Sequence, residues 1–72
     1  MPRLIPDVTV LIRPKGERKF RRVELFARPQ DKVEIRIDGD WHADRKQLPR
    51  ASIPQIIAAN IGDVGELRMS AR

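Results

Sequence analysis

Seventy-two residues, with fifteen Lys and Arg against ten Asp and Glu and no cysteine, make one small basic domain. A chain of this size holds a single core, and without cysteine it has neither disulfides nor a thiolate metal site. The apolar runs at residues 10–12 and 56–59 are far too short to span a bilayer, and Pro2 and Pro6 interrupt any signal-peptide pattern, so a cytoplasmic protein is expected.

Residues 7–13 (DVTVLIR) are rich in β-branched side chains and predict a strand with Val8, Val10 and Ile12 on one face. Pro14-Lys15-Gly16 is turn chemistry, since proline presets its φ and glycine permits a positive one. Residues 19–27 predict a second, antiparallel strand. After a turn at residues 28–31, residues 32–38 (KVEIRID) alternate cleanly: Val33, Ile35 and Ile37 share one side, Glu34 and Arg36 a wet one. Asp38-Gly39 signals either a simple loop or a type I′ hairpin. A short fourth strand at 40–43 would then return along the third, pairing Ile37 with Asp40 and Arg36 with Trp41, an indole beneath a guanidinium.

Ser52-Ile53-Pro54-Gln55 fits a capping box opening a helix over about 53–61, with Gly62 as its stop. Ile53, Ile56, Ile57 and Ile61 form a stripe at helical spacing. So short a helix holds only by packing, and the sheet offers the apolar surface. Residues 66–69 would add a last edge strand or fray; residues 1–6 and 70–72 are expected to be flexible. The fold class is α+β: a small antiparallel β-meander of three to four strands with one C-terminal helix packed on one face. Three antiparallel strands followed by a helix resemble the element order of sheet-reading DNA-binding domains in some integrases and plant transcription factors, with none of their sequence motifs.

Charge is uneven along the chain. Residues 13–28 carry seven cations against Glu17 and Glu24, a net of +5, whereas residues 29–44 carry −3. The acidic loop DGDWHAD holds Asp38, Asp40, His42 and Asp44, but its glycine stands second rather than sixth and Pro49 occupies the twelfth position, so the calcium-loop pattern fails. No nucleophile–histidine–acid order or phosphate-cradling glycine loop is present, and the expectation is a non-enzyme without metal or cofactor.

The basic hairpin remains. Strict alternation places Val23, Leu25 and Ala27 beneath the helix, with Arg21 near the rim, and Phe20, Arg22, Glu24 and Phe26 on the other face. Two phenylalanines among arginines, with Trp41 alongside, would give aromatic rings for bases and guanidinia for phosphates. The expected contacts are Arg13, Arg18, Lys19, Phe20, Arg21, Arg22, Arg36 and Trp41, with DNA or RNA as partner. Two features compete with that reading. A bulge near Arg21-Arg22 would turn Phe20 into the core, and Phe26 could close the sheet end against Leu4 or Ile5. The alternative function is a protein-interaction or accessory protein, of the kind phages and plasmids carry, forming a homodimer or binding a partner through an edge strand.

Overall fold

A computed structural model describes residues 3–71. Strands β1 (Val8–Pro14), β2 (Arg21–Arg28) and β3 (Lys32–Ile37) form an antiparallel meander, and β4 (Asp40–Trp41) folds back on β3. A two-residue strand, β5 (Leu48–Pro49), also pairs with β3. Helix α1 (Ile53–Asn60) follows, and β6 (Val64–Ala71) closes the sheet by pairing antiparallel with β1. Along the main path the order is β4-β3-β2-β1-β6. The molecule is thus α+β, an antiparallel sheet with one helix on one face. No helix among the described residues is long and apolar enough to cross a membrane.

The core lies between α1 and the sheet. Val10, Ile12, Val23, Val33 and Ile35 are buried there, and Ile53, Ile56, Ile57 and Ile61 pack against them. The isoleucine stripe therefore does what its spacing predicts. None of its members is itself fully buried, because eight helical residues cannot cover a sheet this wide.

Asp38 (φ 50°) and Gly39 (φ 88°) both adopt positive φ, as a type I′ turn requires, and Ile37 pairs with Asp40 and Arg36 with Trp41 as expected. Register through β1 and β2 is unbroken from Val8 opposite Leu25 to Ile12 opposite Arg21, so no bulge turns Phe20 into the core. At the other edge of β1 the register shifts between Arg13 and Pro14. Proline has no N–H to continue the ladder, and Gly65 takes up the extra residue. A Cβ at Gly65 would lie 3.1 Å from both the Arg13 carbonyl and the Lys15 Cα, too close for any larger residue without movement.

Several expectations need correction. Ser52 makes no capping hydrogen bond, because a 3₁₀ turn at Arg50–Ser52 runs directly into α1 and gives Ser52 helical dihedrals (φ −81°, ψ −10°). An N-cap side chain reaches the free N–H groups only from extended backbone. The fourth strand stops at Trp41 rather than 43, since Ala43, Asp44 and Arg45 all take left-handed φ of 51–64°. Ser70 and Ala71 belong to β6, where flexibility was expected. Met1, Pro2 and Arg72 lie outside the described residues.

Candidate functional site

The sheet face opposite α1 is built by strand alternation. It receives Arg13 from β1, Arg22, Glu24, Phe26 and Arg28 from β2, Glu34 and Arg36 from β3, and Glu66 and Arg68 from β6. This was expected to be a wet face, but much of it is covered. Phe26 is only 3% exposed and Glu24 and Glu34 only 6%. The cover comes from Trp41, whose ring lies 5.1 Å from that of Phe26, and from arginines laid across both rings. The Arg36 guanidinium is 5.3 Å from the Phe26 centroid and 5.2 Å from that of Trp41; Arg45 is 4.4 Å from Trp41. Phe26 therefore packs against Trp41 in a tilted arrangement, with an interplanar angle of 48°.

Each glutamate of this face sits between two arginines. Arg36 donates to Glu24 through Nε (2.8 Å) and a terminal nitrogen (2.9 Å), while Arg22 lies 3.6 Å from the same carboxylate. Arg28 (2.9 Å) and Arg45 (2.8 Å) both donate to Glu34. Arg68 donates to Glu66 at 3.0 Å, and Arg13 is 3.6 Å away. Three carboxylates thus order six guanidinia, and every cluster keeps one unit of positive charge. Hydrogen bonds from Arg28 and Arg45 hold the Glu34 carboxyl at about 2, against burial, which acts in the opposite direction. The Arg36 hydrogen bonds lower Glu24 in the same way, again opposed by burial.

These carboxylates make stability depend on pH. The folded pKa of Glu34 lies below its unfolded value of about 4.5, so its contribution is complete above that pH and disappears as pH falls toward 2. With allowance for solvent screening it is on the order of 2 kcal/mol. Melting temperature is expected to drop steeply between pH 5 and 2.5, and Glu34→Gln should flatten the drop while lowering stability at neutral pH. A flat profile over that range would contradict the clamp.

Of the residues expected to bind nucleic acid, Arg13, Phe20, Arg22, Arg36 and Trp41 come together on this face. Phe20 is half-buried with the Arg68 guanidinium 4.8 Å above its ring. Arg18 and Lys19 are exposed in the loop before β2 and make no ion pair among the described residues. Arg21 is taken out of the group: it faces the helix side, donates to Asp38 at 2.8 Å, and reaches the Asn60 carbonyl at the end of α1. Asp38 also accepts the Arg22 backbone N–H. Burial raises the Asp38 carboxyl, but the Arg21 and Arg22 donors outweigh this and leave it lowered.

Four arginines were missed. Arg68 was available from alternation in 66–69, and Arg28 from its parity with Phe26. Arg45 had no local signal, because it reaches Glu34 only through the left-handed turn. Arg3 lines an open depression of about 880 Å³ beside Arg22, Glu24 and Arg36, with Leu4, Ile5 and Pro6 as its apolar wall. No family model, curated protein or solved structure matches this chain, and any function must be argued from its own side chains.

Proposed function

We propose that this chain is a small non-enzymatic module that binds nucleic acid through the arginine-rich face of its sheet, working in the cytoplasm. The supporting observation is the set of three glutamates, each held between two arginines, which leaves positive charge fixed in place on one face. An arginine ordered by a carboxylate loses less side-chain freedom when it meets a phosphate, and its five donors are not exhausted by one partner. Arg22 and Arg68, with side chains 57% and 66% exposed, are the members best placed to reach outward. Arg18 and Lys19 extend the positive surface at the end of the hairpin. Phe26 and Trp41 serve the cover of the face, which leaves Phe20 as the ring for a base.

The test is fluorescence anisotropy with labelled single-stranded and duplex DNA at low salt. Arg22→Glu is expected to weaken binding at least about tenfold, because it removes one phosphate contact and adds a repulsive charge. Arg21→Gln should leave binding unchanged and lower stability, since Arg21 ties β2 to the Asp38 turn and to α1. Unchanged affinity in Arg22→Glu would reject this face as the interface. The protein-partner reading is favoured by a different observation, the bare outer edge of β6.

A further inference from the structure

β6 ends the sheet. One of its edges pairs with β1, and among the described residues nothing pairs with the other. The strand is eight residues long, contains no proline, and is exposed at every residue except the half-buried Glu66. Three of the most exposed large apolar side chains among the described residues stand on it: Val64 (43%), Leu67 (46%) and Met69 (65%). Leu67 lies opposite Ile12 and Met69 opposite Val10, so both belong to the helix side of the sheet, beyond the reach of α1. Between Leu67 and the helix runs an open cleft of about 350 Å³, lined by Ile53, Ile57, Ala58, Val64 and Leu67. Edges of this length are normally blunted by proline, lysine, bulges or a covering loop. Here the only charges within the strand are Glu66 and Arg68, one on each side of Leu67.

That spacing makes the edge complementary to itself. We propose that a second copy of this chain occupies it, the two β6 strands pairing antiparallel about a two-fold axis at Leu67. Directly opposite residues share a face, so keeping both helices on one side requires Leu67-type positions to oppose Leu67-type positions. Near the strand centre three registers satisfy this. An axis at Glu66 sets the two copies of Glu66 against each other, and an axis at Arg68 does the same for Arg68, both destabilising. The axis at Leu67 instead sets Glu66 opposite the second copy's Arg68 on both sides, Leu67 on Leu67, and Gly65 opposite the bulky Met69. The two sheets become continuous, and both arginine faces then lie on the same side. The pairing stands independently of any nucleic-acid ligand. Its small area belongs with weak, reversible interfaces.

Sedimentation from about 1 to 300 µM spans that affinity range. The mass should rise from 8.3 kDa toward twice that value with concentration. Arg68→Glu or Glu66→Arg alone should weaken association at least about tenfold, by placing like charges opposite each other twice. The double swap Glu66→Arg/Arg68→Glu should restore it, since it sets opposite charges against each other again. A second measurement avoids charge changes that could disturb folding. The chain has no cysteine, so Leu67→Cys offers a single thiol. Facing positions at the axis are close enough for a disulfide, and oxidation should trap a covalent dimer from Leu67→Cys but not from Ser70→Cys. A monomer at every concentration, or equal trapping at the two positions, would overturn the proposal. So would a dimer indifferent to the single charge reversals.

Discussion

Phe26→Ala is expected to cost about 3–5 kcal/mol, most of the stability of a domain this size. The residue stands on the face opposite the helix, where a small sheet ordinarily meets water. It is nevertheless 3% exposed, closed in by the Trp41 ring and the Arg36 guanidinium. Removing the ring would leave the indole without its main apolar neighbour and loosen Arg36, which also orders Glu24. Trp41 is the sole tryptophan, so its emission reports this layer directly. The variant should melt roughly 12 °C or more below the parent, with a red-shifted indole already in the native baseline. Phe20→Ala, removing a half-buried ring beneath Arg68, should cost much less. A melting temperature for Phe26→Ala within about 2 °C of the parent would mean that the second face has no packed layer.

This layer marks the limit of what the residues revealed on their own. The meander, the Asp38-Gly39 turn with its Arg36–Trp41 pair, and the isoleucine stripe of α1 all follow from local periodicity and turn chemistry. The helix face of the sheet was equally legible, because Val10 and Ile12, and Val33 and Ile35, stand two residues apart, and Val23 shares their parity across the strand pair. The opposite face was misread as wet, since Glu24, Glu34 and Arg36 carry charge. Their burial depends on which partners arrive from elsewhere in the chain: Arg45 reaches Glu34 through a left-handed turn, and Arg28 meets Glu34 and Arg36 meets Glu24 across the β2–β3 pair. Nothing in HADR announces that turn. Ala43 has no side-chain group to favour positive φ, and three successive left-handed residues cost on the order of 1–2 kcal/mol each. The ion pair of Arg45 with Glu34 and its contact with Trp41 offset that cost only in the folded molecule. Ser52 failed for the same reason in miniature, the preceding 3₁₀ turn having removed the extended backbone that a cap requires.

The salt dependence of nucleic-acid affinity carries the second large effect and bears on the arginine face as a whole. Each phosphate neutralised on duplex DNA contributes about −0.9 to the slope of log affinity against log salt. The three glutamate clusters each retain one positive charge, and Arg18 and Lys19 can add two, giving three to five phosphate contacts. Arg21 does not enter the count, because Asp38 and the end of α1 hold it on the other side of the sheet. The most direct measurement is therefore the affinity of the unmodified protein for duplex DNA at 50 and 200 mM salt. The arginine-face account predicts a slope of roughly −3 to −4.5, a weakening of about forty- to five-hundredfold across that interval. A slope shallower than about −1, or no binding at 50 mM, would contradict it.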